Sequence, residues 1–337
     1  MKNTVHLLDC TLRDGGYVND WRFGDDSAKE IVALTGRSGV EYAELGFVRT
    51  DPYESNKMQF SEMSQISRLF CPSDVKLAAM VEIGYGYPVS LFPRRSRQTV
   101  DLVRLIVWKR MMAEGLAYAQ ALLDKGYDVA VQMTRTEQYS IAEFSDAAAG
   151  FSALGVKAVY IVDTFGLLTQ SRLFEYANAA DRVLAPGVRL GYHAHNNMQQ
   201  AFSNATALCE HPWHRDLMLD ASVMGIGRGA GNLCLELIEK YLCENFDGAY
   251  RSEFLYACAD RHIRKIYEKT PWGYSIPYLL SAVNGRNPSY VARLTEAGLS
   301  FSQMDAVFKR MREQDVGIRF DPELCDRMIA EVVGRGA

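Results

Sequence analysis

The feature that most constrains this chain is a regular alternation of short apolar runs with longer segments of helical periodicity. We predict eight strands, "VHLLDCT" (5–11), "VEYAELGF" (40–47), "VKLAAMVEI" (75–83), "LVRLIVW" (102–108), "DVAVQMT" (128–134), "VKAVYIVDT" (156–164), "VRLGYHAH" (188–195) and "LMLDASVMG" (217–225). They recur at intervals of roughly 25 to 35 residues, the rhythm of a (β/α)8 TIM barrel. A doubly wound sheet is the alternative, but it would usually use fewer strands.

The pattern changes near Ala249, where helical segments continue without strands and Pro271, Pro277, Pro288 and Pro322 punctuate them. A barrel needs about 250 residues, so the 337 residues of this chain leave room for an appendage. We therefore predict an α/β fold with a TIM-barrel catalytic domain over residues 1–248 and a C-terminal helical subdomain over residues 249–337.

The net charge, the cysteine spacing and the N-terminal sequence indicate which partners and which cellular location to expect. The net charge of −4 disfavours a nucleic-acid partner, which would favour a basic excess. The seven cysteines are scattered without CxxC spacing, so we expect reduced thiols rather than disulfides or a cysteine metal cage. The N-terminus lacks the pattern of a signal peptide, and no apolar run is long enough to span a membrane. These observations predict a cytoplasmic protein.

Polar side chains collect at the ends of the predicted strands. The active site of a TIM barrel lies at the C-terminal ends of its strands, so these side chains are candidates for function. They are Arg13, Asp14, Glu44, Glu82, Gln132, Asp163, His193, His195 and Asn197, and the loop "GIGRGAGN" (225–232) follows the last strand.

The motif "YHAHNN" is the strongest candidate for a metal site. His193 and His195 are two residues apart on a strand and therefore point to the same face. Neutral imidazoles are good ligands for a divalent cation, and Asn197 could add an oxygen. The first and seventh strands flank the eighth, which brings Asp14 near the histidines and leaves positions open for water and substrate. Alternatively, one histidine is a hydrogen-bonded core residue and Asp14 begins the turn at Gly15.

The other strand-end residues suggest contacts to a substrate. Arg13 would stabilise developing negative charge on substrate oxygen, unless it only pairs with Glu44 or Glu82. Gly227 and Gly229 would let backbone N–H groups bind a phosphorylated, carboxylated or CoA-linked group. Four further side chains either contact substrate or stabilise the barrel, namely Glu44, Glu82, Gln132 and Asp163.

Three segments, "LDCTLRDGG", "GYHAHNNMQQAFSNA" and "LDASVMGIGRGAGN", resemble the DRE-TIM metallolyase superfamily (HMGL-like), nearest the 4-hydroxy-2-oxovalerate aldolase branch. The resemblance covers about residues 5 to 245. It implies that Asp14, His193 and His195 bind a divalent cation, with Asn197 a possible further ligand, and that Arg13 stabilises an enolate. The cation would be Mn²⁺ or Mg²⁺ in the first place, with Co²⁺ or Zn²⁺ as alternatives.

One position departs from the family pattern. Pyruvate aldolases of this family carry a histidine base where this chain has Tyr17. A phenol with a pKa near 10 is a poor base at neutral pH. The base is then Tyr17 as a proton relay, a metal-bound water, Asp20 or a C-terminal tyrosine, of which Tyr274 is our candidate and Tyr278 its neighbour. Both C-terminal tyrosines could instead serve aromatic packing.

These inferences converge on a divalent-metal-dependent aldolase, a carbon–carbon lyase. It would cleave or form a 4-hydroxy-2-oxo acid through a metal-bound enolate of pyruvate or a related 2-oxo acid. The alternatives are a Claisen-type synthase that condenses an acyl-CoA with a 2-oxo acid, and a catalytically altered, partner-channelling protein. The expected partners are a small 2-oxo acid substrate, a possible second copy in a homodimer and a possible acylating dehydrogenase, with no nucleic acid or membrane.

Overall fold

The computed structural model describes residues 3–70 and 75–333 and contains a closed parallel barrel. Its strands are β1 (Val5–Asp9), β2 (Tyr42–Val48), β3 (Gln59–Phe60), β4 (Lys76–Glu82), β5 (Leu102–Val107), β6 (Asp128–Met133), β7 (Ala158–Asp163), β8 (Arg189–Ala194) and β9 (Leu217–Ala221). Seven of the eight barrel strands lie within the runs predicted from the sequence, and β2 extends one residue beyond its run, to Val48. The two-residue strand β3 is an addition at the edge of β2.

The barrel closes because β1 pairs with strands from both ends of the chain order. Val5 faces Leu217 of β9, and Leu8 faces Tyr42 of β2, both in parallel register. The remaining neighbours follow one another along the chain. Closure leaves the barrel strands without an open edge, and it brings the C-terminal end of β1 beside those of β8 and β9.

Helices cover the outside of the barrel and continue beyond it. They are α1 (Gly16–Asn19), α2 (Asp25–Ser38), α3 (Met63–Leu69), α4 (Met112–Asp124), α5 (Ile141–Ala153), α6 (Gln170–Val183), α7 (Ala201–Glu210), α8 (Leu235–Asn245), α9 (Glu253–Cys258), α10 (Arg264–Lys269), α11 (Ile276–Val283), α12 (Tyr290–Glu296), α13 (Phe301–Glu313) and α14 (Pro322–Val333). Their ends follow local chemistry. Ser140 and Glu143 form a capping box at the start of α5, and Gly39 ends α2 with a φ of +102°.

The interior of the barrel is filled rather than open. Alanines at positions 78, 130 and 158 alternate with the large rings of Tyr42 and Tyr160 to form a buried cluster inside the strands. A second and larger apolar core lies between the strands and the surrounding helices. The packed interior forms a rigid base beneath the C-terminal strand ends.

The C-terminal helices have two packing environments. Leu255 and Cys258 of α9 belong to the core that surrounds the barrel, and α9 packs against α2. A separate apolar core joins α12, α13 and α14 around Tyr290, Phe308 and Met328. The boundary between residues 248 and 249 stays a prediction, and both chain ends lie outside the described residues.

Within residues 3–70 and 75–333, no helix has both the length and the apolar character needed to cross a bilayer. Over the same part of the chain, the cysteines are free thiols at positions 10, 209, 234, 243, 258 and 325. Cys71 lies outside the described residues.

Candidate active site

Asp14, His193 and His195 come together at the C-terminal end of the barrel. One carboxylate oxygen and one nitrogen of each histidine lie within 4.8 Å of one another. Nε2 of His195 is 3.4 Å from Oδ2 of Asp14, and the two imidazole rings are 5.0 Å apart, nearly perpendicular to each other. The expected closeness of Asp14, which follows the first strand, to two histidines at the end of the seventh barrel strand is therefore observed.

Each histidine has a polar neighbour at its Nδ1 nitrogen. Nδ1 of His193 is 2.9 Å from Oδ2 of Asp220 on β9. Nδ1 of His195 is 3.2 Å from the backbone carbonyl oxygen of Asp163 on β7. Such contacts fix the ring orientation and leave Nε2 of each histidine for a metal ion.

Asp14 is held from two directions in a buried position. Arg13 donates to one of its carboxylate oxygens, and Nδ2 of Asn232 donates to the other over 2.8 Å. Burial by itself raises the pKa of Asp14, but Arg13 and the two histidines bring it well below its usual range. The carboxylate is therefore ionised at neutral pH.

The residues present fit a divalent cation. Two ligand atoms that each lie about 2.1 Å from an ion at tetrahedral or octahedral angles are about 3 to 3.4 Å apart, which matches the Asp14–His195 separation. Burial lowers the pKa of His193, against an opposing effect of Asp220, so the imidazole is in its neutral, metal-binding form. Oδ1 of Asn197 is buried without a hydrogen-bond partner among the described residues, while its Nδ2 donates to Phe165.

A buried ionic network supports the cluster from below. Arg104 on β5 is fully buried and donates to Glu44 over 2.7 Å and to Asp220. Glu44 also accepts from Nε of Arg13 over 2.8 Å. The ion pair between Arg13 and Glu44, the structural alternative considered from the sequence, is therefore present, and Glu44 lies outside the cavity lining. Arg104 and Asp220 were not expected to contribute, because each is a single charge within an apolar strand.

A cavity of about 200 Å³ opens beside the cluster. Its volume suits a small metabolite rather than a large ligand. Nine residues singled out from the sequence line it, namely Arg13, Asp14, Tyr17, Glu82, Gln132, His193, His195, Asn197 and Gly229. The barrel strand ends supply one wall. Residues 278, 281, 282, 285–288, 318 and 319 of the C-terminal region supply another.

Gln132 and Glu82 are two polar side chains in the cavity lining. Nε2 of Gln132 is buried and makes no hydrogen bond among the described residues. Oε1 of Glu82 accepts from Nε1 of Trp108 over 2.7 Å. Burial raises the pKa of Glu82, and the hydrogen bond from Trp108 opposes this only in part.

Of the two tyrosines predicted as site residues, Tyr17 lines the cavity and Tyr274 does not. Tyr17 lines the cavity, with its ring edge-on to Trp21 and the guanidinium of Arg228 4.9 Å from the ring centre. Burial raises the pKa of the Tyr17 phenol, although 37% of the residue is exposed and nearby arginines oppose the change. Tyr274 does not line the cavity and is 52% exposed, because it precedes Ser275, the N-cap of α11. Tyr278, in the first turn of α11, lines the cavity instead.

Asp163 and Gly227 also lie outside the cavity lining. The Asp163 carboxylate accepts backbone N–H groups of Leu167 and Leu168 over 2.9 and 3.0 Å, so its side chain stabilises the loop after β7. Gly227 packs against Asp14, where an added Cβ would lie 2.8 Å from the carboxylate. Their predicted substrate contacts therefore have no support in the structure. Asp20 pairs with Lys57 over 3.1 Å, also away from the cavity.

Arginines from distant parts of the chain complete the cavity. Arg135, Arg228, Arg286 and Arg319 line it. The sequence contained one local signal, the arginine of "GIGRGAGN", but none that placed Arg286 or Arg319 over a barrel more than 40 residues earlier in the chain.

Residues 4–244, well over half of the chain, match the HMGL-like family model. This chain belongs to the HMGL-like family. The resemblance inferred from three sequence motifs is confirmed, and so is the TIM barrel that it implied.

Two relatives of this chain are named as a decarboxylase and an aldolase. The chain is 25% identical over 337 residues to oxaloacetate decarboxylase of Mycobacterium tuberculosis, covering 96% of this chain and 95% of that protein. It is 27% identical over 248 residues to 4-hydroxy-2-oxovalerate aldolase of Geobacillus genomosp. 3, covering 70% of each. The fold is similar to the carboxyl transferase domain of Rhizobium etli pyruvate carboxylase with pyruvate, with a TM-score of 0.70 at 13% identity over 99% of this chain and 61% of that one. Family and relatives together support a metal-dependent carbon–carbon lyase.

Proposed function

We propose that this chain is a divalent-metal-dependent aldolase that cleaves, or in reverse forms, a 4-hydroxy-2-oxo acid. The observation that carries the proposal is the cluster of Asp14, His193 and His195 beside Arg13, all at one cavity. In the cleavage direction the 4-hydroxyl loses its proton, the C3–C4 bond breaks and C4 becomes an aldehyde. The electron pair of the broken bond remains on the 2-oxo acid as an enolate, which takes up a proton at C3.

The cation would be held by Asp14, His193 and His195, with the unpaired Oδ1 of Asn197 as a further ligand. When bound, a divalent cation supplies Lewis acidity next to the developing negative charge. The remaining contributions come from side chains of this chain.

Arg13 would stabilise the enolate as it forms. Its guanidinium is buried between Glu44 and Asp14, so its position is fixed before substrate arrives, and it also lines the cavity. A preorganised cation in a buried site stabilises charge that appears only in the transition state. The unpaired Nε2 of Gln132 can donate a hydrogen bond to a substrate oxygen.

Glu82 is our candidate for the base. Glu82 lines the cavity, and its pKa is raised toward neutral pH. A general base is most effective when its pKa is close to the pH at which it works. The Tyr17 phenol also lines the cavity, but burial moves its pKa further above neutral pH. Tyr17 would then orient the 4-hydroxyl rather than remove its proton.

A second candidate function is decarboxylation of a 2-oxo diacid. The relative named oxaloacetate decarboxylase matches 96% of this chain, including the C-terminal region. Loss of CO₂ from a carboxylate at C4 yields the same type of enolate and needs no base, which suits a site with tyrosine at the position of the expected histidine.

The deciding experiment separates the products. Protein loaded with Mn²⁺ is assayed with 4-hydroxy-2-oxovalerate and with oxaloacetate, and aldehyde and CO₂ are measured in addition to pyruvate. A protein-free control with the same Mn²⁺ corrects for spontaneous decarboxylation, and an acetyl-CoA arm with thiol detection tests the Claisen alternative. Aldehyde together with pyruvate supports the aldolase. CO₂ together with pyruvate and without aldehyde supports the decarboxylase, and thiol release contradicts both.

Substitution of the cluster tests the metal assignment. We expect Asp14→Asn and His193→Ala to abolish turnover and Mn²⁺ binding while the circular dichroism spectrum stays unchanged. Full activity in either variant would refute the assignment. A wild-type protein that takes up no Mn²⁺ on titration would instead favour the catalytically altered, partner-channelling alternative.

A further inference from the structure

Two buried arginines face the same cavity from different parts of the chain. Arg135 follows β6 and is 9% exposed, and Arg286 follows α11 and is 6% exposed. Arg135 also lies close to Gly285, whose added Cβ would be 3.4 Å from Nη2 of Arg135. Two like charges in a desolvated wall are unfavourable unless negative charge joins them.

The chain itself supplies little negative charge to these two arginines. Nε of Arg135 is 3.5 Å from Glu137, at the limit of a hydrogen bond, and its other close neighbours are the side-chain amide of Gln138 and the ring of Phe165. Burial raises the pKa of Glu137, which weakens it further as a counter-charge. The pairing of Arg135 is therefore incomplete.

Arg286 is bound mainly by neutral groups. Its Nε and Nη1 donate to the backbone carbonyls of Asn284 and Val316 over 2.9 and 2.7 Å. Its carboxylate neighbour, Asp315, lies 3.6 Å away and is 91% exposed, so water screens the pair. Burial, with Arg135 adding to it, lowers the pKa of Arg286. Nη2 of Arg286 makes no hydrogen bond within the described ranges.

Two further arginines extend the positive wall. Arg228 donates to the side chains of Asn287 and Ser289, and its guanidinium packs on the ring of Tyr17. Arg319 packs on the ring of Tyr85 and is exposed. Neither has a carboxylate within 4.0 Å among the described residues. Among the described residues that line the cavity, Asp14 and Glu82 are the two that carry a carboxylate.

The backbone of Arg135 has an unusual conformation that a hydrogen bond stabilises. Its φ of +55° is in the left-handed region, which non-glycine residues rarely adopt. Its backbone N–H donates to Oγ1 of Thr164 over 2.8 Å, which stabilises the conformation. Strained residues of this kind concentrate at binding and catalytic sites.

We infer that Arg135, Arg286 and Arg319, with Arg228 beside them, form a second anion-binding subsite, so that the preferred substrate carries a carboxylate or phosphate group at the end remote from its 2-oxo acid. The inference rests on the proposed function for the 2-oxo acid end. The subsite would select substrates with a negatively charged remote end, and an aldolase that releases an uncharged aldehyde would not require such a subsite. A planar guanidinium donates two parallel hydrogen bonds to either anion.

Binding of three matched compounds to the Mn²⁺-loaded protein tests this inference without turnover. They are 2-oxovalerate, 2-oxoglutarate and 2-oxo-4-phosphonobutyrate, which share the 2-oxo acid end and differ in a terminal methyl, carboxylate or phosphonate group. We expect calorimetry to give at least tenfold tighter binding of one charged compound than of 2-oxovalerate. The tighter of the two identifies the anion as carboxylate or phosphate.

Variants then locate the effect. Arg135→Met and Arg319→Met should reduce the ratio of affinities at least fivefold and leave binding of 2-oxovalerate within twofold. Arg319 is exposed, and its side chain makes no hydrogen bond among the described residues, so its substitution should not disturb folding. Arg327→Met, at an exposed position outside the cavity lining, is the matched control and should change nothing.

The outcomes separate the two proposals. Equal affinity for all three compounds in the wild-type protein would overturn the second subsite and leave the proposed function standing. A preference for a charged compound that survives both arginine substitutions would overturn the assignment to these residues. Failure of all three to bind would refute recognition of a 2-oxo acid, and this inference with it.

Discussion

Asp220→Asn is the substitution that most directly tests how the barrel interior supports the cluster. Asp220 is buried between Arg104, which donates to it, and His193, whose Nδ1 lies 2.9 Å away. Burial alone would raise the pKa of Asp220, but Arg104 and His193 hold it below its usual range. Asparagine keeps the shape and removes the charge, so both contacts lose their ionic part while packing is preserved.

Two magnitudes follow from this geometry. Arg104 keeps Glu44 at 2.7 Å but loses its second carboxylate, and breaking a buried pair typically costs about 3 to 5 kcal/mol. We expect the lower end, about 3 kcal/mol of unfolding free energy, because the asparagine oxygen can still accept from Arg104. Loss of the carboxylate behind a metal-binding histidine typically lowers metal affinity about 10- to 100-fold, or about 1.4 to 2.8 kcal/mol.

The two effects are measured separately. Urea unfolding in the presence of EDTA gives the stability change without metal, and calorimetric titration with Mn²⁺ gives the affinity. Asp51→Asn makes the same chemical change at an exposed position and serves as the control. Unchanged Mn²⁺ affinity in a folded Asp220→Asn protein would refute the role of Asp220 in orienting His193, and unchanged stability would refute the stabilising role of the buried ion pair.

Three further predictions concern other parts of the molecule. Glu82→Gln should lower kcat about 100-fold or more and remove the acidic limb of the pH–rate profile, whereas a retained limb would exclude Glu82 as the base. Burial raises the pKa of Glu239 from 4.5 to about 7, so its stabilisation is complete below pH 4.5 and is lost as pH rises through 7. Relative to Glu239→Gln, the wild type should therefore lose up to about 3 kcal/mol of unfolding free energy between pH 4.5 and pH 8 in urea titrations, and parallel profiles would contradict this. Gly191→Ala places a Cβ 2.3 Å from the Tyr160 ring and should destabilise the barrel by about 1 to 3 kcal/mol. Gly150 lies inside α5, where an added Cβ would be 3.5 Å from Leu116, so Gly150→Ala should stabilise the protein by about 0.5 to 1 kcal/mol. A lower thermal unfolding temperature for Gly150→Ala than for Gly191→Ala would contradict the packing argument.

The structure of a single chain does not test predictions about partners or about location in the cell. The homodimer, the acylating dehydrogenase partner and the cytoplasmic location stay predictions. Size-exclusion chromatography with light scattering checks the first of them.

Local periodicity explains why much of the fold was predictable. A strand has a side-chain period of two, so His193 and His195 must face the same side wherever the strand lies. Parallel strands joined by helices put all their C-terminal ends at one edge, so residues at or after strand ends, such as Glu82 and Asp14, could be predicted as site candidates.

Contacts between residues far apart in the chain could not be predicted in this way. Glu44 lies within β2 and Asp163 ends β7, and their carboxylates are bound by Arg104 and by backbone N–H groups, respectively. No pattern in the sequence around either residue specifies such partners. Tyr274 and Tyr278 differ only in where α11 begins, and the N-cap at Ser275 decides which ring lines the cavity.

The sequence by itself determined the strand–helix alternation, the closed barrel and the three residues that cluster at its mouth, because each depends on short-range periodicity or on chain order. Only the tertiary structure decided which charges neutralise one another and which face the cavity. Arg104 meets Asp220 across 116 positions, and Arg286 reaches the cavity near Arg135 from a separate group of helices. Electrostatic energy depends on distance and burial in space, and neither is encoded in the spacing of residues along the chain.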